Sequence, residues 1–222
     1  MTSNASLLTA IQSALGSSLT PSLSTTSSTS DIFEAYIFSI ILEAANIEGA
    51  TVVFEDVFGS KPSVFYFRTS PGYIFSTTQP YTHAVIQFPN KPILEAHIGI
   101  RVTGKSGVLH ECDVSVLHQS EAITCRNNLV SPRSSKLVMA IECKFYSTSI
   151  PLGLARAFIG LHTDLSAQES FFVVNTNSPS VEKLLAKRNR YCGIDIIPAS
   201  PVTVDKLRSA FQSEFYRYKA MF

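Results

Sequence analysis

Residues 136–145, KLVMAIECKF, form an apolar run that ends in charge: Leu137 to Ile141 are all apolar, and Glu142 and Lys144 follow at once, flanking Cys143. Such a run reads as a β-strand buried on both faces. Residues i and i+2 of a strand share a face and lie about 6.6–6.8 Å apart. Glu142 and Lys144 are therefore expected to project together, with Ile141, Cys143 and Phe145 pointing into the opposite layer. Charged groups at the end of a core strand are costly unless they are paired or bind a metal. A plain ion pair would satisfy them, and so would a functional site. A second strand, LHECDVSVL at 109–117, puts Glu111, Asp113, Ser115 and Leu117 on one face and His110, Cys112, Val114 and Val116 on the other. If the two strands pair, a carboxylate from each can converge on one divalent cation. Mg²⁺ takes oxygen ligands, usually one or two carboxylates, and fills its other positions with water and phosphate. A lysine beside them suits phosphoryl transfer, orienting the attacking water or neutralising developing charge.

The order Asp113, then Glu142-Cys143-Lys144, after a helix carrying a glutamate and before a helix and another strand, resembles the PD-(D/E)xK nuclease superfamily over about residues 31–175. Cys112 stands where that motif has proline, and Glu142-Cys143-Lys144 is the chain's single ExK. The resemblance implies a restriction-endonuclease-like αβββαβ core. It implies Mg²⁺ or Mn²⁺ held by Asp113 and Glu142, Lys144 as general base or water-positioning group, and a catalytic glutamate from the first core helix. With Phe33, Ile37, Ile40, Ile41 and Ala44 as that helix's buried stripe, Glu34 lies about 75° from its centre and Glu43 about 105°. Glu34 is the better placed, although it also fits a capping box begun by Asp31. Glu111 could serve a second metal or a ligating water, or be an ordinary exposed carboxylate. The implied activity is metal-dependent hydrolysis of phosphodiester bonds, most simply of DNA, in restriction or anti-phage defence. Nucleic acid is then the partner, with a homodimer or a larger defence complex possible. The alternative is an inactive nuclease-fold module used for nucleic-acid binding or protein contact.

Further cations could hold a nucleic-acid backbone. Arg156 follows the ExK strand, and Lys183, Lys187, Arg188 and Arg190 make the densest basic patch; each can equally be a solvated charge. Phe65, Tyr66, Phe67, Tyr73 and Phe75 read as core or sheet-edge packing, with base stacking as the alternative. His110 reads as a hydrogen-bonded core histidine, and nothing specific argues for His118.

The elements that must position these residues follow from hydrophobic period. A helix is expected from Ser30 or Asp31 to near Gly49. TVVFED, SVFYFR, THAVIQF and ILEAHIGIRV then alternate as strands ahead of the two site strands. PLGLARAFIGLHTDL reads as a helix, SFFVVNT as a strand, SVEKLLAKRNR as a helix, GIDIIP as a short strand and VDKLRSAFQSEFYRYK as a closing helix. This order predicts an α/β fold, a three-layer sandwich around a central mixed sheet that is antiparallel early and parallel late. Residues 17–30 hold 11 Ser or Thr in 14 positions. They are expected to be a linker, leaving residues 1–30 as a peripheral helix and tether and 31–222 as the main domain.

Composition agrees with this reading. At 222 residues, 45% hydrophobic and 16% charged, the chain suits one ordered domain, and global disorder is excluded. No apolar run reaches the roughly 18 residues of a membrane helix. The net charge of +1 neither requires nor forbids nucleic acid. Four cysteines without a CxxC pair read as reduced thiols. Without a basic n-region at the N-terminus, a soluble, cytoplasmic protein is expected. The GxSxG, P-loop, GxGxxG and HExxH motifs of other chemistries are absent.

Overall fold

A computed structural model describes residues 3–78 and 81–222. In chain order the elements are α1 (Asn4–Leu15), β1 (Thr20–Pro21), α2 (Thr29–Ile47), β2 (Thr51–Asp56), β3 (Val64–Phe65), β4 (Thr82–Gln87), β5 (Leu94–Thr103), β6 (Leu109–His118), α3 (Gln119–Asn128), β7 (Leu137–Lys144), α4 (Leu152–Asp164), β8 (Glu169–Val174), α5 (Pro179–Lys187), β9 (Tyr191–Gly193) and α6 (Pro201–Met221). Seven strands form one mixed sheet in the order β2-β4-β5-β6-β7-β8-β9. Pairing is antiparallel as far as β7 and parallel from β7 to β9.

Helices cover both faces, as the expected three layers require. The main core joins Ile141, Cys143, Phe171 and Val173 of the sheet to α1, α2 and α6. On the other face, Ala140 packs with α3 and the end of α4, and Phe172 and Val174 pack with α4 and α5.

Three expectations need correction. First, α2 is no half-buried amphipathic helix. Nearly every residue from Ile32 to Ala45 is buried, because α1 and α6 pack against it. Second, the described part of the N-terminal segment, residues 3–30, is no loose appendage. Leu7 and Ile11 are fully buried, and Leu15, Leu19 and Leu23 join them in the main core. β1 also pairs with β3, so the Ser/Thr tract is anchored by its two leucines and this short ladder. Third, α2 begins two residues before Asp31, with Ser28 at its N-cap, and no capping box ties up Glu34.

Smaller differences have local causes. SVFYFR forms only the short β3, and the last strand sits at Tyr191–Gly193 rather than at GIDIIP, where Asp195 adopts positive φ. α3 went unforeseen because it buries only Glu121, Ala122 and Cys125. All four cysteines are free. Among the described residues, no helix is long and apolar enough to cross a membrane.

Candidate active site

The site lies where β6 and β7 part. Their last register pair in this direction is Val114 with Ile141. Beyond it the Asp113 carboxylate replaces a ladder acceptor, receiving the Cys143 backbone N–H at 2.7 Å.

A backbone irregularity coincides with this point. On β5, Leu94, Ala96 and Ile98 pack into the main core, whereas Ile100 and Val102 pack into the second cluster. On β6, Val114 and Val116 belong to the first and Cys112 to the second. The apolar stripe changes sides in both strands, between the pairs Ile98–Val114 and Ile100–Cys112. Gly99 supplies the turn with φ +61°, a conformation open to glycine and strained for other residues. The uniform alternation expected for β6 therefore fails at Cys112, and Asp113 sits at the switch.

Asp113, Glu142 and Lys144 converge here. Lys144 Nζ lies 3.2 Å from Asp113 Oδ2 and 2.6 Å from Glu142 Oε1. Asp113 is 6% exposed, while Glu142 and Lys144 are partly open to solvent. Ile141, Cys143 and Phe145 face the main core as expected, and the Phe145 ring meets Phe33 edge-on. Glu34 approaches from the second turn of α2. Burial, then the charges of Asp113, Asp31 and Glu111, push its carboxyl up to about 9. Burial and Asp113 likewise raise Glu142 to about 6. The exposed Glu111 is raised by burial and by Asp113. Burial alone would lower the Lys144 ammonium, but Asp113 and Glu142 overcome it and hold it above its usual value. Glu43, the other helix candidate, instead pairs with Arg208 of α6 at 3.0 Å.

Four carboxylates thus cluster about one lysine, and burial together with mutual repulsion holds Glu34, Glu142 and Glu111 toward the protonated state. Such a hard-oxygen cluster fits a divalent cation, whose charge would relieve the repulsion. Among the described residues no three His, Cys, Asp or Glu side chains stand at the spacing of a complete metal cage. Mg²⁺ needs only one or two carboxylates.

The other sequence candidates lie apart. Arg156 is exposed on α4, Lys183, Lys187 and Arg188 are exposed on α5 and its end, and Arg190 leads into β9. None forms an ion pair with the acidic cluster among the described residues. His110 bonds to Asp164 at 2.6 Å, in keeping with a structural role. His118 packs against Tyr218 and Phe222.

Two features escaped the sequence reading. Arg101 of β5 is the register partner of Glu111. Glu95 is fully buried beside His83 and His97 and is gripped by Arg126 through contacts of 2.7 and 2.8 Å. The signal was present, because Glu95, His97 and Arg101 occupy alternate positions in the apolar strand ILEAHIGIRV. Comparison with protein-family models, with curated proteins and with solved structures found no match to this chain.

Proposed function

We propose that the protein is a metal-dependent nuclease of the PD-(D/E)xK type, hydrolysing phosphodiester bonds of DNA, with a role in restriction or anti-phage defence. One observation carries this reading: Asp113, Glu142 and Lys144 converge at the parting ends of adjacent strands, with Glu34 facing them from α2. In support, α2, β5, β6, β7, α4 and β8 occur in the αβββαβ order of a restriction-endonuclease-like core, with β2 to β4 inserted after α2 and α3 between β6 and β7. β2, β4 and β9 would then be additions at its two edges.

Asp113 and Glu142 would hold Mg²⁺ or Mn²⁺, which supplies Lewis acidity toward a phosphate oxygen and toward water. Lys144, steadied between the two carboxylates, would orient the attacking water and offset the charge that develops on phosphorus oxygens. Glu34 would retain a proton until a cation neutralises the cluster, then accept a hydrogen bond from water.

Glu142→Ala and Asp113→Ala are expected to abolish Mg²⁺- or Mn²⁺-dependent cleavage of plasmid and single-stranded DNA. Lys144→Ala should keep most of its affinity for Mn²⁺ by calorimetry, yet lower single-turnover cleavage by orders of magnitude. Wild-type cleavage by Glu142→Ala would refute the assignment. Intact DNA binding without cleavage by the wild-type protein would favour a non-catalytic binding module.

A further inference from the structure

Arg101 is a cation beside an acidic site that no carboxylate captures. It stands opposite Glu111 across β5 and β6, and its charge offsets part of the rise that burial and Asp113 impose on the Glu111 carboxyl. Yet among the described residues it forms no ion pair. Its neighbour is Tyr73 instead. The guanidinium carbon lies 5.2 Å from the ring centroid, and Nη1 donates to the hydroxyl at 3.5 Å.

Tyr73 stacks in turn on Phe75, with centroids 5.0 Å apart and planes 17° from parallel. The backbone beneath them is fixed to β5. Gly72 N–H donates to the Gly99 carbonyl and Arg101 N–H to the Gly72 carbonyl, both at 2.9 Å. Arg68 Nη2 donates to the Tyr73 carbonyl at 2.8 Å. Gly72 permits this closeness, since a Cβ there would fall 1.8 Å from Arg68 Nη1. The stack is therefore tied down, and it orients a guanidinium whose donors are nearly all unused.

A planar guanidinium supported by an aromatic ring is suited to grip a phosphate through two parallel N–H bonds. The levels of Glu111 and Asp113 are about 6.6–6.8 Å apart along the strand, the scale of one step between neighbouring phosphates of a nucleic-acid strand. We infer that Arg101 contacts the backbone phosphate adjacent to the scissile one, and that Tyr73 is its positioning residue. This rests on the nuclease reading above and adds a substrate contact to it.

The test is binding of fluorescein-labelled DNA, single-stranded and duplex, by Lys144→Ala protein in Mg²⁺ over a range of salt. Adding Arg101→Gln should weaken binding about tenfold, the loss of a charge-assisted contact. It should also reduce the slope of log affinity against log salt by about 0.9 for duplex or 0.7 for single strands. Tyr73→Ala should reproduce much of the affinity loss, and Tyr73→Phe, which keeps the stacked ring, should restore binding. If the parent protein binds DNA and Arg101→Gln leaves both affinity and slope unchanged, the inference is overturned while the nuclease reading stands. If the parent binds neither form at any salt concentration, both fall together.

Discussion

Glu34 holds its proton because burial and three neighbouring carboxylates disfavour the ionised form, and that has a definite consequence for stability. Its folded value of about 9 lies above the ordinary 4.5. Between those values the unfolded chain releases a proton that the folded one keeps, so stability falls as pH rises through the window. Glu142 acts in the same sense between 4.5 and about 6. Above about pH 6.5, where His83 no longer opposes the trend, metal-free protein should melt at progressively lower temperature as pH rises toward 9, and Glu34→Gln should flatten the decline. A Glu34→Gln melting profile that parallels wild type would contradict this. Because a cation needs the ionised carboxylate, Mn²⁺ affinity measured by calorimetry should rise with pH through about 6, the Glu142 value. Asp113, Glu142 and Lys144 were legible in the sequence because charges seldom end an apolar strand without a partner. Arg101 was less so, since its relation to the site depends on the change of side at Gly99, and strict alternation cannot express that.

Among elements, α1 is the clearest case of a misleading composition. Its helical pattern is weak and a Ser/Thr tract follows, yet Leu7 and Ile11 meet the outer side of α2, which the sheet cannot cover. Ile11→Ala should cost about 2–5 kcal/mol in a denaturant titration. Removing residues 1–29 should abolish cooperative unfolding, and a cooperative transition in that truncated protein would show that α1 is dispensable. The long apolar strands and α2, α4 and α6 were readable because their apolar residues recur over many positions. α3 was not, because it depends on contacts distant in sequence, such as the Glu121–Arg133 ion pair at 2.6 Å. At Gly99, a methyl group would meet Arg68 Cβ at 3.3 Å as well as the φ +61° backbone. Gly99→Ala should therefore destabilise the protein and, by disturbing the strand switch beside Asp113, weaken Mn²⁺ binding in the same calorimetric titration.

At the scale of the molecule, the candidate site lies where the sheet changes from antiparallel to parallel pairing, at the C-terminal end of β7. A second charged centre lies deep on the β4–β5 side and gives the molecule an acid limit. Burial, then His97, lowers His83 to about 3. Burial would raise Glu95, but bonds from Arg126 and His97 hold its carboxyl below the usual range. As pH falls from 6.5 toward 3, the unfolded chain protonates His83 before the folded chain does. Glu95 adds a loss below 4.5 for the same reason, so both shifts remove stability on acidification. His83→Gln should make acid unfolding less steep, and an unchanged acid limb would assign it to other groups. The burial of α2 also constrains the order in which the chain can mature. One side of that helix is closed by α1, which precedes it in the chain, and another by Phe211, Phe215 and Tyr218 of α6, which follows all seven strands of the main sheet. During synthesis, therefore, every residue of the acidic cluster leaves the ribosome before α6 can close over α2. Until α6 emerges the nascent chain carries an open apolar helix, the kind of transiently exposed surface that chaperones shield.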